Sequence, residues 1–264
     1  MSDTAGARPA LGVASILGDS FSLVFRNLVP MMILAGVPAV IGVVLNLIFV
    51  GTAAQNIALA LSNPELYAAT AQTSVLVTII MTIVGILLFG LAIAAVTAGA
   101  YRAAEGAPIS LNRALGIAVS CLLMVILCMV ITGIAVYIGL ILLILPGLYL
   151  MGLWFVLIPA IVVERKGLGA IGRSAELTKG YRWPLVGLVV LFLLIVIGLS
   201  MITGGAQFVG FGLGTVGLIL ANVVGVVVAA FYYALAGAMG ALTYARLVEI
   251  KEGTGMSTLA EVFS

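Results

Sequence analysis

Residues Arg182-Trp183-Pro184-Leu185-Val186-Gly187-Leu188-Val189-Val190-Leu191-Phe192-Leu193-Leu194-Ile195-Val196-Ile197-Gly198-Leu199-Ser200-Met201-Ile202-Thr203 decide the fold. Past Arg182 the stretch carries no charged side chain, and a helix of about 20 such residues crosses a hydrocarbon layer about 30 Å thick. Its entrance is also informative. Arg173, Lys179 and Arg182 precede it, Trp183 stands at the boundary, and Pro184 falls where a first helical turn accepts proline. Working outward, apolar stretches near Leu28–Val50, Ser74–Ala100, Gly116–Leu145, Gly147–Val163, Trp183–Thr203 and Phe211–Ala245 read as six spans, none containing Asp, Glu, Lys, Arg or His.

With 64% hydrophobic residues, 8% charged residues and a mean hydropathy of +1.37, the chain has too few polar side chains to coat a water-soluble globule. The 11 Lys and Arg residues can all be placed on one side of a membrane. The connections at Gly51–Thr73, at the Pro146-Gly147 turn and at Gly204–Gly212 carry only the acid Glu65. Short basic loops resist translocation, so both termini are expected in the cytoplasm of a bacterial inner (cytoplasmic) membrane. Residues 1–264 read as a single six-span domain, with a cytoplasmic lead-in at 1–27 and a cytoplasmic tail at 246–264. The first 27 residues mix Asp3, Arg8, Asp19 and Arg26, unlike a cleaved signal, so the first span is expected to direct insertion.

The fold class expected is an all-α, multi-pass integral membrane protein, built as three repeats of a helix pair with short amphipathic interfacial helices. Gly18-x-Ser20-x-x-Leu23 followed by Pro30 matches Gly172-x-Ser174-x-x-Leu177 followed by Pro184 without a gap, and Ile109–Leu115 is a weaker counterpart. Such segments would lie in the interface plane. Arg173, Lys179, Arg182 and Trp183 are therefore candidate lipid-headgroup contacts, or else positive-inside anchors with a belt tryptophan. In the last span Gly217, Ala221, Gly225 and Ala229 recur every fourth position, a row that lets helices approach closely in lipid. Helix packing is its expected role; a lined groove is the other.

Catalytic chemistry is hard to find. There is no His, no CxxC, and no GxSxG, P-loop or GxGxxG motif. Cys121 and Cys128 read as small packing residues. Glu164 and Glu176 share a loop with Arg165, Arg173 and Lys179 and read as salt-bridged surface charges. Spans without ionisable groups argue against ion-coupled transport. Their few polar residues include Asn46, Thr132, Tyr137, Ser200, Asn222 and Tyr232, while Pro38 and Pro159 would kink spans one and four. No enzymatic activity, cofactor, metal or nucleic-acid partner is expected.

Residues 146–183 carry Pro146-Gly147-Leu148-Tyr149-Leu150, Leu157-Ile158-Pro159-Ala160-Ile161-Val162-Val163-Glu164 and Arg173-Ser174-x-Glu176-Leu177-Thr178-Lys179-Gly180-x-x-Trp183. This stretch resembles the glycerophosphodiester phosphodiesterase membrane-domain family and the related YciC-like inner-membrane proteins. One departure is Ala175, where that family often carries an aromatic residue. In some relatives the membrane domain precedes a soluble phosphodiesterase domain. The resemblance here implies the membrane domain alone, without a catalytic domain. The functional expectation is a non-enzymatic, lipid-associated membrane protein that contacts lipid or scaffolds other membrane proteins, and homo-oligomers are compatible with it. The alternative is a transporter or flippase for a lipid or small apolar solute. A cavity lined by Asn46, Asn222 or Thr132 would favour transport, and a solid Gly/Ala core would favour scaffolding.

Overall fold

The computed structural model describes residues 11–49 and 60–253, with the backbone alone at 64 and 67–74. Arg8, positions 51–59 of the first connection and the tail beyond Gly253 lie outside the described residues. The helices are α1 (Val13–Arg26), α2 (Leu28–Phe49), α3 (Pro64–Ala104), α4 (Leu111–Leu142), α5 (Ile144–Leu153), α6 (Leu157–Glu164), α7 (Gly169–Leu177), α8 (Arg182–Gly212) and α9 (Gly214–Glu252). No strand occurs among the described residues. Six segments are long and apolar enough to cross a membrane: α2, Val75–Ala104 of α3, α4, α5 with α6, α8 and α9. The all-α membrane fold is therefore present. On α2, Val37, Val40, Ile41, Val44 and Ile48 remain exposed, a surface suited to lipid.

Three connections differ from expectation, each for a local reason. The first is already helical before Ser74: the Asn63 side chain accepts a hydrogen bond from the Leu66 amide at 3.1 Å, and Pro64 opens α3. The turn expected at Pro146-Gly147 sits instead at Leu143, whose extended backbone (φ −161°, ψ 144°) separates α4 from α5. Pro146 then falls in the first turn of α5, where its missing amide costs nothing. Residues 204–212 are helical, and the chain reverses at Leu213 and Gly214, whose φ of 70° is left-handed. In lipid a helix satisfies its own backbone, which outweighs the weak helix propensity of Gly204 and Gly205.

Pro159 breaks span four. Proline cannot donate to the carbonyl four residues earlier and its ring crowds that carbonyl, so the helix stops at Leu153 and restarts at Leu157. Span one, by contrast, runs through Pro38 without interruption.

The repeat is visible in units one and three. Ser20 of α1 and Ser174 of α7 are both fully buried. Gly18 and Gly172 both face open space, and Pro30 and Pro184 each occupy the third residue of the following helix. The middle unit has no separate lead-in helix, because Ser110 directly precedes α4.

Small side chains line the core along α3 and α9: Ala94, Ala95 and Ala98 on the one and Ala234, Ala238, Ala241 and Ala245 on the other are all buried in one cluster. A Cβ on Gly237 would lie 2.6 Å from Val96 Cγ1, so α3 and α9 approach closely there. The row Gly217, Ala221, Gly225, Ala229 is not uniform. A Cβ on Gly217 would meet Gly210 O at 2.5 Å, whereas one on Gly225 would meet Thr203 Cγ2 at an ordinary 3.5 Å. Ala221 is buried and Ala229 half-buried. Gly217→Ala and Gly237→Ala should therefore each lower stability by about 1–3 kcal/mol through overpacking, with Gly225→Ala close to neutral. Thermal unfolding in detergent reads this order; equal loss at Gly225 would contradict it.

Candidate functional site

The break in span four organises the end of the bundle where the basic residues collect. Breaking the helix leaves the Leu153 carbonyl without its usual amide, because Leu157 N bonds to Trp154 O instead. Two hydroxyls of the α7 corner take that carbonyl: Ser174 Oγ and Thr178 Oγ1 each donate to it at 3.1 Å. Ser174 and Thr178 are fully buried. The freed carbonyl is thus satisfied by side chains 21 and 25 residues further along.

Glu164, the last residue of α6, anchors a second set of contacts. Its carboxylate accepts hydrogen bonds from Arg173 Nε at 2.6 Å and from Tyr244 OH at 2.5 Å, and forms an ion pair with Lys166 Nζ at 2.7 Å. The other side of the Arg173 guanidinium reaches Glu252 at 2.5 Å. The Glu164 and Arg173 side chains are only 12% and 16% exposed, so the pair is largely withdrawn from water. Burial disfavours the charge on Arg173, but the hydrogen bonds and charges of Glu164 and Glu252 outweigh it and raise its pKa. Tyr244 is buried beside Tyr101. Lys251 Nζ donates to Glu176 O at 2.6 Å. These contacts lock α6, α7 and the end of α9 together, so Glu164 is salt-bridged as expected but as an interior hub, while Glu176 is exposed and its carboxylate forms no salt bridge among the described residues.

The four predicted headgroup contacts separate here. Arg173 is held by carboxylates. Arg182 is half-buried, donates to Tyr149 OH at 2.5 Å and to Ala175 O at 3.4 Å, and stacks 5.5 Å above the Tyr149 ring. Lys179 is exposed, and Trp183 is 65% exposed. The sequence reading did not single out Arg26, Arg113 and Arg165, which, like Lys179, are exposed and have no carboxylate partner among the described residues. It also missed Tyr149, Tyr244 and Glu252 as partners. Among the described residues no group of three His, Cys, Asp or Glu gathers that could hold a metal. Cys121 and Cys128 are buried free thiols.

At the opposite end the bundle opens. A groove of about 320 Å³ between α2, α3 and α9 is lined by both Asn46 and Asn222. Thr132 is not part of it; its hydroxyl donates to Cys128 O at 2.8 Å. A smaller pocket of about 150 Å³ lies at the span-four break, bounded by Phe89, Thr97, Phe155, Pro159, Phe192 and Met239. The small-residue core of α3 and α9 fills the basic half beyond the groove. No protein family, curated protein or solved structure matches the chain.

Arg173→Gln leaves the Glu164 carboxylate with Tyr244 and the half-exposed Lys166 alone and should cost about 1.5–3 kcal/mol. Lys179→Gln, on the exposed side of the same corner, should stay within about 0.5 kcal/mol. Chemical unfolding in a mild detergent separates the two, and similar losses would contradict the assignment of Arg173 to the interior.

Proposed function

We propose that this protein is a non-enzymatic, lipid-associated multi-pass protein of the bacterial cytoplasmic membrane, seated with its basic end on the anionic headgroups of the inner leaflet. The observation that carries the reading is the division of labour among the cations. Lys166, Arg173, Arg182, Arg246 and Lys251 are engaged by the protein. Arg26, Arg113, Arg165 and Lys179 project from α1, α4 and the flanks of α6 and α7, free to meet lipid phosphates. Trp183 and Phe25, both exposed beside them, suit the headgroup boundary. Each such cation near an anionic surface contributes about 1 kcal/mol of attraction, so the four together contribute about 4 kcal/mol. The resemblance of residues 146–183 to a membrane-domain family accords with this role. The interlocked α6–α7–α9 corner would give the lipid-facing cations a rigid base.

A second reading has its own support. The groove at Asn46 and Asn222 is the feature a lipid transporter or flippase would need on one side. The close-packed small residues in the basic half favour a fixed scaffold over a through-path.

Replacing Arg26, Arg113, Arg165 and Lys179 with Gln should lower the copurified phosphatidylglycerol and cardiolipin relative to neutral lipid by roughly threefold or more, with the fold intact. Native mass spectrometry of the extracted protein reads the ratio. An unchanged ratio in the folded variant would leave these residues as topology anchors alone.

A further inference from the structure

The groove between α2, α3 and α9 combines apolar side chains with carboxamides. Its lining includes the apolar Pro38, Gly42, Gly85 and Leu88 and two carboxamides, Asn46 and Asn222. Asn46 is itself exposed, so the groove is open to the surface there. The Asn46 side chain has no hydrogen-bond partner among the described residues. Asn222 Nδ2 donates one hydrogen to Leu218 O at 2.8 Å, leaving its second N–H and its Oδ1 unused. A carboxamide without partners in an apolar setting costs free energy, so its position has to be accounted for.

Depth accounts for it. Asn46 lies 18 residues along α2 from Leu28, about 27 Å at the α-helical rise. Asn222 lies 24 residues along α9 from Arg246, about 36 Å by the same measure. With the basic end at one headgroup boundary, both amides fall close to the opposite boundary of a hydrocarbon core about 30 Å thick. Their level is that of the ester carbonyls of the far leaflet, and the apolar lining runs from there toward mid-bilayer.

We propose that this groove is a binding site for a glycerolipid of the leaflet facing away from the basic end. One acyl chain lies along Pro38, Gly42, Gly85 and Leu88, and its ester carbonyl accepts hydrogen bonds from the Asn46 and Asn222 amides. Gly42 and Gly85 make room for the chain. A Cβ on Gly85 meets nothing within 4 Å, and one on Gly42 meets only Leu88 Cδ1 at 3.5 Å. The site requires no anionic headgroup and is independent of the cations at the other end of the bundle.

The test uses the full chain in nanodiscs of phosphatidylcholine alone, doped with phosphatidylcholine carrying a diazirine on one acyl chain. After irradiation, adducts are mapped to residues by mass spectrometry. Residues lining the groove should carry several-fold more label than Ile138 and Ile141, which are exposed toward the same end of α4. Gly85→Phe, which fills open space, should reduce groove labelling to that surface level while leaving the thermal midpoint in place. Should that variant fail to fold, the exposed-rim variant Asn46→Leu should show the same loss. Groove labelling equal to that of α4, labelling unaffected in a folded groove variant, or a groove labelled instead by a water-soluble diazirine would each overturn the proposal.

Discussion

No water is present in a hydrocarbon layer to satisfy a carbonyl, an amide or a charge, and nearly every feature of this chain follows from that constraint. The spans are helices because a helix satisfies its own backbone, and their interiors are free of charge because a charge there has no inexpensive partner. Where the backbone ladder fails, at the span-four break, Ser174 and Thr178 close on the exposed Leu153 carbonyl. The α7 corner is therefore tied to the break by chemistry, and its position brings Arg173 to Glu164. A proline in α6 thus leads, step by step, to the contacts that hold the basic end together.

Packing follows a different logic from that of a water-soluble core. Apolar surface gains nothing by leaving lipid for protein, so helices associate where they fit closely. The Ala and Gly residues of α3 and α9 allow that fit toward the basic end, and Gly210 with Gly217 allows it at the α8–α9 turn. Along the groove, a Cβ on Gly85 would meet open space and one on Gly42 only Leu88 Cδ1 in ordinary contact, so the same small residue leaves room there. Small residues therefore mark both the tightest and the loosest parts of the bundle, and only the facing helix distinguishes them.

That ambiguity sets how much the sequence disclosed. The spans were legible because charge-free length is a local property, and the kinship of α1 and α7 was legible because Gly, Ser and Pro keep fixed offsets. The reversal at Leu213 was not, since Gly204 and Gly205 look like a loop until the membrane setting is weighed. Nor was the role of Arg173. Its hub, Glu164, is held by Tyr244 from 80 residues away, and its second partner, Glu252, lies on the end of another helix. A sequence displays charges, but their pairing depends on which helix ends the fold brings together. Once Arg173 and Arg182 are accounted for by protein partners, the candidates for lipid contact pass to Arg26, Arg113, Arg165 and Lys179.

The roles of the two ends require them to lie on opposite sides of a bilayer. The direct measurement is thiol labelling of single cysteines in intact and permeabilised cells, in a background with Cys121→Ala and Cys128→Ala. Ser62→Cys, exposed just before α3, should react in intact cells with a membrane-impermeant reagent, and Lys179→Cys only after permeabilisation. Reaction of both positions from the same side would contradict the six-span arrangement and the separation of the basic end from the groove.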